Sequence, residues 1–321
     1  MEYRRLGETP LELSRIGLGC GNFGGVGSAP ELFGRGESEE EAVALMDAAW
    51  EAGVNFFDTA ASYGGGRSES WIGRWQRERG ADVVLSTKVF WSVTGDPEDR
   101  GLGHDRILRE LDGSLSRLGT GRVDLYLTHE PDEATPIEET LRALDEVVGS
   151  AKAGAIGASN LDGAGLEEAL ETSERLGLAR YGWVQNEYSL LRREAETGVL
   201  PVCEREGLGF TPFSPLAGGW LTGKYRRGEA YPAGSRMTLR PDPYADLVND
   251  GTLHALEAFE AAAAERGVEP STLAVAWVLA HPQVTGVVVG PRRPEQLATA
   301  VAAAELELTA DERDELGALF A

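Results

Sequence analysis

The sequence predicts an α/β protein whose eight parallel strands close into a (β/α)8 TIM barrel, and three observations carry that expectation. Short runs rich in β-branched and aromatic residues alternate with amphipathic stretches eight times along the chain. Such alternation implies a parallel sheet covered on its faces, and eight is the strand number that closes one into a barrel. The open, doubly wound alternative would place G-x-G-x-x-G between the first strand and its helix. Here Gly17-Leu18-Gly19-Cys20-Gly21-Asn22 lacks the last glycine, and the next helix begins only near Ser38.

In chain order, residues 2–15 form a hairpin, with Leu6, Leu11 and Leu13 around the turn Gly7-Glu8-Thr9-Pro10. A strand at 16–18 leads to a helix over 39–51, whose Ala42, Leu45, Met46 and Ala49 share one face. Strands at 54–57 and 83–86 precede helices at 68–79 and 105–118, the second carrying Ile107, Leu108, Leu111 and Leu115. Strands at 124–127 and 155–158 precede helices at 137–151 and 164–176. A strand at 183–185, a helix at 194–206 and a strand at 209–213 come next. Helices at 253–266 and 271–280, a strand at 285–289 and helices at 295–304 and 310–319 complete the chain, so residues 1–321 make one domain. Two loops are long. The first, 24–36, is glycine-rich and carries Phe33; the second, 215–250, carries Gly218-Gly219, Lys224, Arg226, Arg227 and Arg236. The second follows the seventh strand, on the face where barrel sites lie, and is expected to clasp a ligand.

Composition narrows the function. Fifty-three acidic against 30 basic residues give a net charge of −23, a field that repels nucleic acid and anionic membrane. An anionic ligand therefore needs a local basic pocket. The two cysteines, Cys20 and Cys203, sit beside strands and read as small buried apolar residues, not a disulfide framework. MEYRRLGETP lacks the apolar core of a signal peptide, and no apolar run approaches a membrane span, so a cytoplasmic protein is expected. Neither His-Glu-x-x-His nor Cys-x-x-Cys occurs, and four histidines make a three-histidine zinc centre improbable, so no metal is expected.

The chemistry concentrates at strand ends. Asp58 ends Val54-Asn55-Phe56-Phe57-Asp58, Tyr63 follows in Thr59-Ala60-Ala61-Ser62-Tyr63-Gly64, Lys88 ends Val83–Lys88, and His129 ends Asp124–His129. In a barrel, these ends converge. Tyr63 is the proton donor of such a set. Its phenol titrates ordinarily near 10, and a neighbouring Lys88 ammonium is expected to lower that value. Asp58 can hold Lys88 by a charge-assisted hydrogen bond, and His129 can orient a substrate carbonyl. Each residue alone also has a structural reading as a turn cap, an amphipathic packing residue, a snorkelling lysine or a satisfied histidine. Their coincidence at neighbouring strand ends favours the chemical one. The set suits hydride delivery to a carbonyl; with no Gly-x-Ser-x-Gly elbow, it does not suit hydrolysis.

These residues, with GVNFFDTAASYGGGRSE (53–69), STK (86–88), SRLGTGRVDLYLTHEPD (116–132), GAIGASN (154–160), QNEYSL (185–190), FSPLAGGWLTGKY (213–225) and GVVVGPRRPEQL (286–297), resemble the aldo-keto reductase superfamily over essentially the whole chain, near its potassium-channel β-subunit-like branch. The resemblance implies a (β/α)8 barrel whose base is plugged by the N-terminal hairpin. It also implies NAD(P)H bound without a dinucleotide-binding domain, and reduction of an aldehyde or ketone. It makes Asp58, Tyr63, Lys88 and His129 a catalytic tetrad, and it puts Ser159, Asn160 and Gln185 on the nicotinamide carboxamide with Phe213 stacked on the ring. It assigns Ser214, Pro215, Leu216, Gly218 and Lys224 to a pyrophosphate clasp, and Gly290, Arg292 and Gln296, with Arg236, to the adenosine end. Lys224, Arg236, Arg292 and Arg293 are the local exception to the acidic charge, and arginine forks suit a 2′-phosphate, so NADPH is expected over NADH. Phe23, Trp91 and Trp220 are candidate walls of the substrate pocket, with core packing the alternative for each. The chain departs from the family pattern at Thr299 and Ala300, where Glu and Asn often stand, at Glu130 beside His129, and in the unmatched 24–36 loop.

The mechanism expected from the resemblance is ordered, with NADPH entering beneath the 215–236 loop before a small carbonyl substrate, and oligomeric state is left open. Three rivals share parts of this pattern. One is an NAD(P)-dependent aldose or alcohol dehydrogenase using the same tetrad in the oxidative direction. Another is a cofactor-sensing regulatory subunit, against which the lack of an extra N-terminal segment is counted. The third is a barrel lyase or isomerase acting through a Lys88 Schiff base, which leaves Gln185, Phe213 and Arg292 without a role.

Overall fold

The computed structural model describes residues 1–320. It opens with an antiparallel hairpin of β1 (Tyr3–Arg5) and β2 (Glu12–Ser14), Arg4 opposite Leu13. Eight parallel strands follow: β3 (Ile16–Gly19), β4 (Phe56–Asp58), β5 (Val84–Val89), β6 (Val123–Thr128), β7 (Ala153–Ser159), β8 (Trp183–Gln185), β9 (Gly209–Phe210) and β10 (Val287–Val289). Neighbours in sequence pair, and β10 returns to pair with β3, Val287 beside Ile16 and Val289 beside Leu18. The remaining seam is drawn together by a bridge between Phe210 and Val284. There Thr285 N–H donates to the Phe210 carbonyl (2.9 Å) and Val288 N–H to that of Pro212 (2.8 Å).

Helices α1 (Glu39–Glu51), α2 (Arg67–Arg79), α3 (His104–Leu118), α4 (Ile137–Gly149), α5 (Gly163–Leu176) and α6 (Val199–Glu206) follow successive strands. A single turn, α7 (Arg236–Leu239), lies in the long loop after β9, and α8 (Asp250–Glu265) and α9 (Pro270–Leu279) lead to β10. The chain continues through α10 (Pro294–Ala303) and α11 (Ala310–Ala318). Local signals set several of these bounds. A Ser38/Glu41 capping box starts α1, and Gly119 takes the left-handed conformation that ends α3. Among the described residues no helix is long and apolar enough to cross a membrane.

Strand phase divides the interior in two. Inward residues Phe56, Leu125, Leu127, Trp183 and Val288 pack together inside the ring, joined by Leu6 and Leu13 from the hairpin. Gly7 of the hairpin lies against the first residue of β9, where an added Cβ would stand 2.4 Å from Gly209 N, so the hairpin seats at the strands' starting end. Gly17 faces the same interior, and a Cβ there would stand 2.5 Å from the Phe56 ring. Outward residues belong to the larger core beneath the helices; Phe57 stacks on Trp75 of α2 at 5.2 Å, and the Tyr126 hydroxyl donates to the Ile107 carbonyl.

Three expectations are corrected. Residues 194–206 are not one helix but a 3-10 turn, Glu194–Glu196, and α6 beginning at Val199. Pro201 has no N–H to donate into a helix running through it, whereas in the first turn of a new helix none is needed. The seventh strand's regular ladder covers only Gly209–Phe210; beyond it Thr211 and Phe213 N–H still donate to the Val184 and Asn186 carbonyls, while Pro212, with no N–H, has none to give towards β10. The 215–250 loop is not structureless: it holds 3-10 turns at Ala217–Thr222 and Asp242–Leu247 as well as α7, pieces too short to show a helical period.

Candidate active site

The phase that fills the barrel also builds its mouth. Side chains two residues apart on a strand share a face, so Asp58 follows Phe56 inward, Lys88 follows Ser86, His129 follows Leu127 and Gln185 follows Trp183. Tyr63 enters from the 3-10 turn Tyr63–Gly65 beyond β4. The Lys88 ammonium donates to Asp58 Oδ2 at 2.7 Å and to the Thr59 carbonyl at 2.9 Å. Asp58 Oδ1 accepts from Ser86 Oγ (2.6 Å) and Gln185 Nε2 (3.0 Å), so both carboxylate oxygens are engaged. The Tyr63 hydroxyl lies 3.5 Å from Lys88 Nζ and 3.5 Å from His129 Nε2, with the tyrosine and histidine rings edge to face. Asp58, Lys88 and His129 are buried, whereas Tyr63 keeps part of its surface open.

Burial and charge set the protonation states. Burial would lower the Lys88 pKa, but Asp58 and then Tyr63 outweigh it and hold the ammonium above its usual range. Burial pushes the Tyr63 phenol above its ordinary value; Lys88 pulls back without winning. The lowering expected from the Lys88 charge is thus reversed, because desolvation outweighs that charge. The phenol is therefore protonated and able to donate. Burial, and then Lys88, hold His129 well below the ordinary histidine value, so its imidazole is neutral. Its Nδ1 is buried without a partner. Unpartnered acceptors are less costly than unpartnered donors, which assigns the proton to Nε2, beside Tyr63.

Other sequence candidates surround this centre. Ser159 and Gln185 are buried at the ends of β7 and β8, and Asn160 Nδ2 donates to the His129 carbonyl (2.9 Å) from a left-handed backbone. Phe213 is half-buried and packs on the inner cluster. Ser214, Ala217, Gly218 and Gly219 all have positive φ, which turns the backbone sharply around the buried Pro215 and half-buried Leu216. Gly290 is exposed after β10, and Gln296 Oε1 accepts the Arg292 N–H (2.8 Å) before α10. Phe23 and Trp220 are buried in the outer core, Trp220 against Tyr225 and Tyr231 with its indole N–H unpartnered. Trp91 is half-buried at the rim, its ring edge to face with Phe90 and near Glu130, whose carboxyl is raised by burial and drawn back in part by Trp91. A cavity of about 250 Å³ lined in part by Pro10, Tyr181 and Leu208 lies beside the hairpin, at the opposite end of the strands.

A coenzyme with phosphates fits what surrounds this mouth. Desolvation, then Arg236 and Arg292, lower the Lys224 pKa, and desolvation likewise lowers Arg236, which Arg240 and Arg292 lower further. Cations that depress one another make a pocket for an anion, in a chain of charge −23. Residues missed from the sequence stand here too. Asn22 Oδ1 accepts from Arg236 (2.7 Å) and Glu37 Oε1 from Arg292 (2.7 Å). Nothing in the local sequence marks either. Ser86, also missed, could have been found by stepping back two residues from Lys88.

Comparison with known proteins agrees with this geometry. The model of the Aldo/keto reductase family matches residues 15–320. The chain is 39% identical to a probable voltage-gated potassium channel subunit beta of Oryza sativa subsp. japonica, over 92% of this chain and 89% of that protein. It is 40% identical to the uncharacterized oxidoreductase YrpG of Bacillus subtilis (strain 168), over 96% and 92%. It is 32% identical to the versiconal hemiacetal acetate reductase of Aspergillus parasiticus, over 97% and 95%.

Proposed function

This chain belongs to the aldo/keto reductase family, oxidoreductases that use NAD(P)H, and we propose that it reduces small aldehydes or ketones with NADPH, with Tyr63 as the general acid. One observation carries the reading: a protonated, half-open phenol stands 3.5 Å from both a buried ammonium and a neutral imidazole at the mouth of the barrel. When bound, the nicotinamide supplies the hydride. The chain supplies position and a proton. A carbonyl oxygen seated against Tyr63 and His129 meets two donors already aimed at the place where negative charge develops. Tyr63 gives up its proton there, and Lys88, fixed by Asp58 and Thr59, stabilises the phenolate left behind. Buried surroundings strengthen both interactions.

Around that centre, Ser159, Asn160 and Gln185 are proposed to orient the carboxamide and Phe213 to stack on the ring. The turns at 214–219, with Pro215 among them, together with Lys224, would hold the pyrophosphate. Arg236 and Arg292, with Gly290 and Gln296, would take the adenosine end, and Arg292 the 2′-phosphate. Trp91, with the Glu130 carboxyl beside it, remains a proposed pocket wall, whereas the burial of Phe23 and Trp220 in the outer core favours the packing reading for those two.

The test is nucleotide oxidation followed by absorbance with a panel of aldehydes and ketones, comparing wild type with Tyr63→Phe. Turnover with NADPH that falls by about 10²–10⁴ in the variant, with nucleotide affinity kept, supports the reading. Undiminished turnover in Tyr63→Phe refutes the role of Tyr63. A second reading, as a nucleotide-sensing regulatory subunit, draws on the likeness to the Oryza sativa subunit. It would be favoured by tight NADPH binding without turnover of any carbonyl.

A further inference from the structure

The 24–36 loop, unmatched in the sequence, is closed at its neck. Glu37 N–H donates to the Asn22 carbonyl (2.9 Å) and Gly24 N–H to that of Glu37 (3.0 Å). A Cβ on Gly36 would stand 1.9 Å from the carbonyl oxygens of Asn22 and Gly25, so the neck closes only around glycine. The side chains at the neck are buried, and each holds an arginine from the far end of the chain. Asn22 holds Arg236, and Glu37 holds Arg292 through Nε at 2.7 Å. Arg292 Nη1 also donates to the Gly234 carbonyl (2.9 Å). The Glu37 side chain is 2% exposed and that of Arg292 44%, and Glu37 Oε2 is buried with no partner.

Two consequences follow from that pairing. The bonds from Nε and Nη1 fix the guanidinium plane and leave Nη2, on its half-exposed outer edge, with no protein partner, a donor preset for an anion. The pairing also places an anionic charge one guanidinium's width behind that edge. A 2′-phosphate meeting Arg292 feels both the guanidinium and the carboxylate behind it; the 2′-hydroxyl of NAD(H) feels almost nothing of the charge.

We infer that Glu37, acting through Arg292, is the residue that sets coenzyme preference, orienting the arginine while partly cancelling its charge so that the site accepts both NADP(H) and NAD(H). This rests on the proposed role of Arg292 at the 2′-phosphate. Neutralising Glu37 while keeping its acceptor should sharpen the preference for the phosphorylated coenzyme.

The experiment is calorimetric titration of the wild type, Glu37→Gln and Arg292→Ala with NADP+ and with NAD+, read as the ratio of the two dissociation constants. Glu37→Gln is expected to raise the preference for NADP+ by about tenfold with NAD+ affinity little changed. Arg292→Ala is expected to abolish the preference. A merely structural Glu37 would weaken both nucleotides together and leave the ratio alone. An unchanged ratio in Glu37→Gln, with a collapsed ratio in Arg292→Ala, overturns the inference and leaves the NADPH reading standing. A ratio that Arg292→Ala does not move removes Arg292 from the phosphate site, and the inference with it. If Glu37→Gln does not fold, Glu37→Asn carries the test; it is neutral, keeps an amide acceptor and must still raise the ratio.

Discussion

Replacing Lys88 with methionine tests what the buried ion pair does for the fold and for chemistry at once. Lys88 and Asp58 side chains are 1% and 5% exposed and 2.7 Å apart, so loss of the ammonium leaves a carboxylate sealed from water. Ser86 and Gln185 still serve Oδ1, but Oδ2 loses its partner. Breaking a buried pair in this way costs about 3–5 kcal/mol. The unfolding entropy of a 321-residue chain is roughly 0.7 kcal/mol/K, so the melting temperature should fall by roughly 4–8 °C. The double variant Lys88→Met/Asp58→Asn removes both charges at nearly constant volume, and should recover most of that loss, to within about 1 kcal/mol of wild type. Its activity should not recover. Lys88 is the group that pulls the Tyr63 phenol back against burial, so both variants should lose about 10²–10⁴ in kcat. Thermal melting by circular dichroism and turnover followed by nucleotide absorbance decide the matter. A double variant as unstable as Lys88→Met would show that the stranded carboxylate is not the source of the loss. A double variant that regains turnover would show that the ammonium is not needed for proton transfer.

Other outcomes follow from neighbouring features. His129 is held well below its ordinary value, which makes its folded pKa lower than its unfolded one, near 6.5. Its contribution is therefore full above about pH 6.5 and declines as pH falls from there towards the folded value, by up to about 1.4 kcal/mol per pH unit. His129→Gln should flatten that part of a urea-stability profile; an unaltered slope would show that His129 is not its source. Gly36→Ala forces a Cβ into the neck of the first long loop, and should expose residues 24–36 to limited proteolysis at a stability cost of about 1–3 kcal/mol. Resistance equal to wild type would mean that the neck can yield. Arg236→Ala should weaken NADP+ by about tenfold or more and reduce the salt dependence of binding, since a charge-assisted contact and a cation are lost together. Equal salt sensitivity in both proteins would place the phosphates elsewhere.

Much of the fold was legible because strand phase and strand ends coincide. The alternation that puts Phe56, Leu127 and Trp183 inside the ring carries Asp58, His129 and Gln185 to its mouth. The errors have local causes. Pro201 and Pro212 were in plain view, but a search for hydrophobic period runs over a proline that interrupts the hydrogen bonds. α7 is shorter than the window that reveals a period. Protonation was harder, because the sequence names the neighbours of Tyr63 but not how much water burial removes. Asn22 and Glu37 were out of reach altogether: their partners, Arg236 and Arg292, are 214 and 255 residues away, with no pattern linking them.

The pairing of β3 with β10 also orders the protein in time. A ribosome adds ~5–20 residues per second, so residues 16–19 wait roughly 13–55 s before residues 287–289 exist to pair with them. Through that interval the growing sheet keeps an open edge, the kind of surface that recruits stray strands. Strands β4 to β6, with Asp58, Lys88 and the approach to His129, can already be in register. Arg236 and Arg292 come near the end, and find Asn22 and Glu37 made long before. The half of the site that would handle protons is thus synthesised first, and the half that would grip a nucleotide is completed only when the ring shuts.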